Sequence, residues 1–585
     1  MRILPACALL LAWAAAAAAS PADEAFEALA RDWLDDLPEF SPVTATGIGD
    51  HRFDHVLDEV DAAARERRRR LYRDYLARLD AIDWTALGRA NQVDAELLRV
   101  ELESGLWSLE VLQEWAWNPL LYVNLAGNSL YGLMARDFAP LEERLLDAAA
   151  RLEQFPRFLA QVRETLEPAR VPKVHAETAL SQNQGINAII DTMIVPHAGS
   201  LPEPHAERLK AAIATARDAL AEHQAWLSTR LVGNAKGDFR LGARLFDQKL
   251  KYTLHSPLSR REIRRRAEHE YVAVRDEMYR ISKEIYAKQH PYTSFPDDPD
   301  EAFKQVVIRA ALQQAYQHLP EPDRIVDIAR ETLEQATAFV REKDLVSVPD
   351  DPIEIIVMPE YQRGVAVAYL DPPGPLDEGQ KSFYAVAPLP ADWSEEQVLS
   401  FLREYNLYSI HNLTLHEAMP GHYLQLAHSN RYPSILRAVL WSGPFVEGWA
   451  VYAERIAIDA GYLDEDPLMR LINLKWYLRT VTNAIIDQAI HVEGMTRDEA
   501  LRLMIEGAFQ EEREAAGKWT RAQLTSTQLS TYFVGYQEHR DMRQAAERAW
   551  GDAFEARRYH DRALSFGSPP VQYVRALLLD EPIPR

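Results

Sequence analysis

The chain has 585 residues, of which 47% are hydrophobic and 26% charged, a balance typical of a folded globular protein. Its formal net charge of −23 at pH 7 argues against nucleic acid as a partner, because phosphate binding requires a basic surface. The single cysteine, Cys7, excludes a disulfide framework and a set of thiolate ligands, so any metal must be held by His, Asp or Glu.

The first 19 residues have the pattern of a secretory signal peptide. Arg2 supplies the positive start, residues 3–18 are nearly all apolar, and small residues precede Ser20. We expect cleavage near Ala19 or Ser20 and an exported protein, periplasmic or secreted; a retained membrane anchor is the alternative. Too few residues precede Cys7 for the hydrophobic region of a lipoprotein signal, so we expect neither lipidation nor stable membrane association.

Most of the remaining chain is predicted to be helical, because apolar residues recur at spacings of three and four in segments rich in Ala, Leu, Glu and Arg. The predicted helices include residues 23–37, 58–82, 91–115, 141–166, 204–231 and 260–288. We therefore predict one mainly α domain over residues 20–585. Its helical N-terminal part is expected to extend to about residue 345, and its catalytic part to cover 346–585.

One short region has the composition of β-structure instead. The segments 353–358, 364–369 and 382–386 are rich in β-branched and aromatic residues, and a Pro-rich turn at 372–375 separates the last two. They predict a small sheet of two or three strands just before the segment 416–422. Such a sheet could hold an extended peptide along an edge strand by main-chain hydrogen bonds, or it could be a hairpin that only braces the helices.

The segment from His416 to His422 carries the strongest chemical signal. Zinc peptidases place two His on one helix face with a Glu beside the first, here Glu417, which activates the water that the metal polarises. The usual spacing is four residues, whereas this one is six, which on a straight helix leaves the second His ~240° from the first. Pro420 lacks a backbone N–H and Gly421 tolerates unusual dihedrals, so we predict a bulge that returns His422 to the face of His416.

A third ligand is expected on a following helix, which begins near Gly443. Glu447 is the better candidate because it lies near the helix start. Glu454 lies seven residues later on the same face and could orient a ligating His. Two imidazoles, one carboxylate and an open position are typical of a catalytic Zn²⁺ site, although the same ligands suit cobalt, manganese or iron.

The pattern His-Glu-x-x-Pro-Gly-His at 416–422, followed by Glu-Gly-Trp-Ala-x-Tyr-x-Glu at 447–454, resembles a large bacterial family known as domain of unknown function number eight hundred and eighty-five. The resemblance covers most of the mature chain and is strongest from about residue 373 to 535. This chain differs from many members at residue 423, where it has Tyr and they have a second His after the motif. The pattern also resembles the gluzincin peptidases, among them angiotensin-converting enzyme, the thimet oligopeptidases and the thermostable carboxypeptidases.

This resemblance implies a mostly helical, two-lobed fold around a deep cleft. It implies His416, His422 and Glu447 as metal ligands and Glu417 as general base. It does not imply a substrate.

A zinc peptidase also needs a donor to the oxyanion of its tetrahedral intermediate. Residues 528–536 resemble a downstream motif of the bacterial family with a Tyr and a Gly in those places, and Tyr532 is our choice of donor. Tyr536 and His539 are substitutes, and a purely structural Tyr532 is the alternative.

Asp487 and His491 are four residues apart on a predicted helix, so we expect them to touch, either as second-shell or substrate contacts or as part of the packing. If the enzyme recognises a free carboxylate of its substrate, an Arg would bind it. Arg403, Arg479 and Arg540 lie in suitable segments, but the sequence does not choose among them.

These features together predict a zinc-dependent hydrolase, and most simply a metallopeptidase that cleaves short peptides. One alternative is a zinc hydrolase of esters or non-peptide amides, because the same chemistry serves them. Another is a periplasmic binding protein that keeps the scaffold without turnover, although such a protein would not require Glu417. The sequence leaves the oligomeric state and the choice between endo- and exopeptidase open.

Overall fold

The computed structural model describes residues 20–358, 368–390 and 393–585, and this part of the chain is mainly α-helical, as predicted. Its first helices are α1 (Pro21–Phe40), α2 (Pro42–Ile48), α3 (Ala62–Asp80), α4 (Arg89–Trp107), α5 (Glu114–Trp117), α6 (Leu120–Met134), α7 (Leu141–Glu153), α8 (Phe155–Thr165), α9 (Lys173–Ile189) and α10 (Glu203–Trp226). The predicted signal peptide lies outside the described residues.

The later helices are α11 (Gly242–Leu254), α12 (Arg260–Gln289), α13 (Glu301–Ala315), α14 (Ile325–Glu342), α15 (Glu395–Glu404), α16 (Leu407–Glu417), α17 (His422–Ser429), α18 (Ile435–Val439), α19 (Gly443–Asp459), α20 (Pro467–Gln488), α21 (Arg497–Arg502), α22 (Glu512–Leu524), α23 (Ser530–Trp550), α24 (Ala556–Leu564) and α25 (Val571–Leu579). Across the described ranges, no helix is both long enough and apolar enough to span a bilayer.

The prediction of one helix over 141–166 is wrong, because α7 ends at Glu153 and α8 begins at Phe155. Pro156 lies in the first turn of α8. A proline is tolerated there, because the first N–H groups of a helix have no partner within it, but not in a helix interior. The long apolar periodicity therefore belongs to two consecutive helices.

Helices α16 and α19, which carry part of the candidate site, begin at side chains that accept backbone hydrogen bonds. Asn406 caps α16 by accepting from the N–H of Ser409 at 3.2 Å, and Ser442 caps α19 by accepting from the N–H of Phe445 at 3.3 Å. Each cap satisfies a donor that the first helical turn leaves free, and Pro444 is compatible with the first turn of α19. Local sequence thus fixes where both helices start.

The buried apolar side chains form two large cores. One comes from residues 43–231 and the other from residues 246–574, which include the site helices. Helices α11 to α14, which lie within the predicted N-terminal part, contribute to the second core: Met278 of α12 and Ile308 of α13, for example, lie in it. Periodicity identifies the apolar face of a helix but not the neighbour that covers it.

The predicted sheet is confirmed and has three strands in the order β1 (Ile353–Val357), β3 (Ser382–Val386), β2 (Ala368–Asp371). Strand β1 pairs parallel with β3, and β2 pairs antiparallel with it, with Leu370 opposite Tyr384. Within the described chain, β3 is the one neighbour of β2. The predicted strand over 364–369 is described only from residue 368 onward, and its first four residues lie outside the described chain.

The loop after β2 is fastened to the N-terminal helices. The N–H of Leu376 donates to the carbonyl of Ile48 at 2.9 Å. His51 bridges two carboxylates, with Nδ1 2.8 Å from Asp54 and Nε2 3.2 Å from Asp377. These contacts fix the position of β2, which borders the site described next.

Candidate metal centre

Three side chains from three helices meet at one point. His416 lies in the last turn of α16, His422 is the first residue of α17, and Glu447 lies in the first turn and a half of α19. Oε2 of Glu447 is 3.7 Å from Nε2 of His416 and 3.4 Å from Nε2 of His422, and all three potential ligand atoms lie within 4.8 Å of one another. The two imidazoles are almost perpendicular, at 85°, with ring centroids 4.8 Å apart.

The two histidines come together through a break between two helices, so the predicted bulge within one helix is wrong. Helix α16 ends at Glu417, and α17 starts at His422. The N–H groups of Ala418 and Met419 both donate to the carbonyl of Thr414 at 3.0 Å, which closes the end of α16. The break lets the second helix take a new direction, so the phase of a single helix no longer limits the two ligands.

Gly421 makes this break possible because the chain folds back onto the last turn of α16. A Cβ atom at residue 421 would lie 1.8 Å from the carbonyl oxygen of His416, a distance that no side chain tolerates. The neighbouring Pro420 offers its carbonyl to the indole N–H of Trp449 in α19, at 2.9 Å. The Pro-Gly pair therefore packs the break against the helix that supplies Glu447.

A buried network orients His416. Its Nδ1 lies 2.7 Å from Oε1 of Glu454, and since a carboxylate only accepts, Nδ1 carries the proton and Nε2 is left to face the cluster. The other oxygen of Glu454 accepts from Asn412 at 2.8 Å and from Asn473 at 3.2 Å. Nδ1 of His422, by contrast, has no hydrogen-bond partner in the described part of the chain.

The charges of the cluster affect one another. Burial disfavours the charged form of Glu447, but the two neighbouring imidazoles outweigh burial and hold the pKa of its carboxyl well below the ordinary value. Burial likewise opposes the charged form of His416, yet Glu447 and Glu454 raise its pKa well above the ordinary value. Protons and a metal ion would therefore compete for these ligands.

The geometry and the donor types fit a divalent cation. Ligand atoms about 2.0–2.1 Å from a tetrahedral Zn²⁺ lie about 3.3–3.4 Å apart, close to the 3.4 and 3.7 Å observed here. Nε2 of His416, Nε2 of His422 and Oε2 of Glu447 would each serve as one ligand. Three protein ligands leave a position for water or substrate.

Glu417 lies beside this cluster and is buried. Burial raises the pKa of its carboxyl, with a further contribution from Glu447, while the two imidazoles and the backbone N–H of Leu370 lower it, and the net shift is upward. The bond from Leu370 connects Glu417 to β2. A carboxyl with a raised pKa next to a metal site is suited to accept and return a proton.

The packing of α19 against α23 brings Tyr532 to the same place. The two helices touch backbone to backbone at Gly448 and Gly535; a Cβ atom on Gly535 would lie 1.9 Å from the carbonyl oxygen of Pro444. Tyr532 lies one turn before Gly535, and the charge of Glu447 contributes to raising the pKa of its phenol, after burial. Tyr532 is thus within electrostatic range of Glu447, the candidate metal ligand on α19.

The hydroxyl of Tyr532 has two neighbours that the sequence analysis missed. Arg521 donates to it from Nη2 at 3.0 Å, and Gln528 from Nε2 at 3.4 Å. With both bonds directed at its oxygen, the phenol is free to donate its own hydrogen elsewhere.

The sequence model of a family described as "Bacterial protein of unknown function (DUF885)" matches residues 42–578. The chain belongs to this family. No curated protein matches it.

Two solved structures are similar to this DUF885 protein. One is a "putative lipoprotein of unknown function" from Shewanella oneidensis, with 32% sequence identity, a TM-score of 0.80, and 95% of this chain and 99% of the other covered. The other is a "putative lipoprotein" from Colwellia psychrerythraea, with 17% identity, a TM-score of 0.76 and coverage of 95% and 100%. The second likeness establishes the shared fold alone.

Asp487 and His491 of this DUF885 protein bond to the loop that joins α22 to α23. Asp487 accepts from the N–H groups of Thr527 and Ser530, at 3.0 and 3.1 Å, and from the Ser530 hydroxyl at 2.7 Å. Nε2 of His491 donates to the carbonyls of Ala522 and Thr525 at 2.8 and 2.9 Å. The pair contacts none of the three candidate ligands and instead sets the position of Tyr532 through the backbone.

Tyr536 and His539, the two alternative candidates for the oxyanion donor, contact other residues. Nε2 of His539 donates to the carbonyl of Phe445 at 2.9 Å, and Tyr536 packs on Tyr477 with ring centroids 4.7 Å apart. Arg540 is bonded to Glu270 at 2.8 Å. None of these side chains contacts Glu447.

The site residues that sequence reasoning missed are Asn412, Asn473 and Arg521. Asn412 precedes His416 by four residues and therefore shares its helix face, which is a signal that could have been used. Asn473 and Arg521 lie on other helices, so only the packing of α20 and α22 brings them to the site.

Proposed function

We propose that this DUF885 protein is a zinc-dependent hydrolase that cleaves short peptides, with His416, His422 and Glu447 as metal ligands. The observation that carries the proposal is the meeting of these three ligand atoms within 4.8 Å beside a buried carboxyl, Glu417. Two imidazoles and a carboxylate suit Zn²⁺, and a neighbouring carboxyl with a raised pKa suits proton transfer. The gluzincin-like pattern from His416 to Glu454 agrees with this assignment.

A divalent cation held by the three ligands would polarise the substrate carbonyl and acidify a water molecule. Glu417 takes the proton from the attacking water and returns it to the leaving amine. The N–H of Leu370 holds the Glu417 carboxyl in place, while Glu454 keeps the proton of His416 on Nδ1. The hydroxyl of Tyr532 donates to the oxyanion.

The proposal extends to shape and location. Two separate hydrophobic cores are consistent with two lobes around a cleft, which would favour short, unfolded peptides. The predicted signal peptide, and the description of two relatives as lipoproteins, support an exported protein.

The test is hydrolysis of a mixed library of short peptides, with ester substrates assayed beside it and products read by mass spectrometry. The assay uses residues 20–585 loaded with zinc, and the zinc content of the sample is measured before the assay. We expect the wild type to cleave peptides and Glu417→Gln to retain zinc but lose turnover. Glu354→Gln, which changes an exposed carboxyl on β1, is the matched control and should remain active.

Turnover of esters alone would assign the protein to the alternative class of zinc hydrolases. Absence of any turnover in zinc-loaded wild type would contradict the hydrolase proposal and favour a binding protein. Full activity of Glu417→Gln would show that the general base is misassigned.

A further inference from the structure

Helices α20 and α22 bring three cationic side chains together next to the candidate metal centre. They are Arg479 of α20 and Lys518 and Arg521 of α22. One carboxylate lies among them: Glu514, whose Oε1 is 2.5 Å from Nη2 of Arg479 and 3.8 Å from Nζ of Lys518. Three positive charges thus face one negative charge, in a protein whose overall charge is strongly negative.

This cationic cluster has unused hydrogen-bonding capacity. Nη1 of Arg479 is buried and has no partner among the described residues. Lys518 is only 4% exposed, and its ammonium makes no hydrogen bond with any described residue, Glu514 being too distant at 3.8 Å. The next nearest carboxylate, Glu404, is engaged with Lys475 at 2.8 Å.

Buried cations that outnumber the carboxylates among them are costly, so a cluster of this kind indicates an anionic ligand. Burial, and then the charge of Arg479, lower the pKa of Lys518 well below its ordinary value, with a further contribution from Arg521. Glu514 opposes this effect but does not overcome it. An anion placed between the three cations would relieve this repulsion.

The cluster is continuous with the candidate catalytic groups through Arg521. Its guanidinium donates from Nη2 to the hydroxyl of Tyr532 and to Oε1 of Gln528, both at 3.0 Å. Arg521 also interacts electrostatically with Glu447. A substrate that reaches Tyr532 would therefore place a nearby group within reach of the cations.

We infer that Arg479, Lys518 and Arg521 form a subsite for a carboxylate of the substrate, close to the bond that is cleaved. This inference rests on the proposed function and narrows it to substrates with a carboxylate near the scissile bond. The planar forks of the two guanidiniums match a carboxylate, and Lys518 adds a point charge. The carboxylate is either the free C-terminus of a short peptide or the side chain of an Asp or Glu residue.

The experiment measures binding rather than turnover, so that its outcome does not depend on hydrolysis. Isothermal titration calorimetry is performed on zinc-loaded Glu417→Gln protein with three probes: acetyl-Ala-Ala-Ala, its C-terminal amide, and acetyl-Ala-Glu-Ala amide. Each titration is repeated in the Lys518→Met background and in the Lys210→Met background. Lys210 lies on α10 and is 78% exposed, so it serves as the matched control.

We expect the free acid to bind about 10–100-fold more tightly than its amide, and Lys518→Met to remove most of that difference. Lys210→Met should leave it unchanged. If the Glu-containing amide shows the Lys518-dependent affinity instead, the carboxylate is a side chain. If the carboxylate merely binds zinc, the free acid would still bind more tightly than its amide in Lys518→Met, and this result would overturn the inference. Equal affinity of the acid and the amides, or no binding of any of them, would also overturn it.

A second measurement guards against a misfolded variant. Because Lys518→Met removes a buried cation that has no hydrogen bond to any described residue, its apparent melting temperature should not fall below that of its parent. If it does fall, the titrations are repeated with Lys518→Gln, which removes the charge but keeps a polar side chain, and the same criteria apply. Lys518-dependent binding without any peptide hydrolysis by the wild type would support the subsite and contradict the proposed peptidase activity.

Discussion

The side chain of His416 illustrates how the candidate site depends on residues that hold no metal. Its ring is fixed by Glu454, and Glu454 is fixed in turn by Asn412 and Asn473. Such partners set the tautomer of a ligating imidazole and raise its basicity. His422 has no corresponding contact at Nδ1 within the described chain, so the network acts on one imidazole of the two.

Replacing Glu454 by Gln removes the negative charge that His416 faces while keeping the size of the side chain. We expect zinc affinity to fall by about 10–100-fold. Competition with a chromogenic chelator measures it, with Glu354→Gln as control. Unchanged zinc affinity would mean that Glu454 only fills space.

Replacing Tyr532 by Phe removes the hydroxyl that we propose as the hydrogen-bond donor to the oxyanion. We expect kcat to fall by about 10²–10³-fold, because the interaction strengthens only in the transition state, and KM to change little. Tyr536→Phe, one turn further on α23 and packed on Tyr477, is the matched control. A near-normal kcat in Tyr532→Phe would return this residue to a purely structural role.

At the scale of elements, the site depends on close contacts between helices. The break between α16 and α17 requires Gly421, and the crossing of α19 and α23 requires Gly448 and Gly535. In each case a backbone atom occupies the space that a side chain would need. These glycines therefore determine where His422, Glu447 and Tyr532 lie relative to one another.

Gly535→Ala should push α23 away from α19, because the added methyl would overlap the carbonyl of Pro444. We expect a loss of about 1–3 kcal/mol in the free energy of unfolding and a lower kcat. The matched control is Gly517→Ala, since this glycine of α22 is exposed and has no atom within 4 Å of the added methyl. Gly517→Ala should instead stabilise the helix by up to about 1 kcal/mol. Denaturant unfolding measures both, and equal effects would contradict the close-contact argument.

At the scale of the whole molecule, the two cores are joined partly through the loop that follows β2. His51 stacks on Phe138, with ring centroids 3.6 Å apart, and bridges Asp54 and Asp377. Burial lowers the pKa of His51, but hydrogen bonds to Asp377 and Asp54 outweigh it and raise the pKa to about 9. The bridge thus links the N-terminal helices to the segment that carries Leu370.

A folded-state pKa above the unfolded value of about 6.5 means that the folded protein binds more protons between these two values. The stabilisation from His51 is therefore fully present below about pH 6.5 and is lost as the pH rises through 9. We expect His51→Gln to lower the apparent melting temperature at pH 6.5 and to differ little from wild type at pH 9.5.

Thermal melts across this pH range test the expectation, with exposed His197→Gln as the control. A difference between His51→Gln and wild type that stays constant with pH would show that His51 acts through packing on Phe138 alone.

The mainly helical class, the small sheet before α16, and the spacing that puts His416, Glu417 and His422 within seven residues follow from the sequence alone. These are local properties, because periodicity, caps and motifs involve residues close in the chain. Tertiary structure decided that the histidines converge through a helix break, that α12 to α14 share the core of the site, and that Asp487 and His491 hold a loop. It also decided that Arg521 contacts Tyr532 and that Lys518 lies near Arg479 and Glu514. Such contacts depend on how whole helices pack. Each helix has many residues that could contact a neighbouring helix, so the order of residues along the chain does not specify which residues form these contacts.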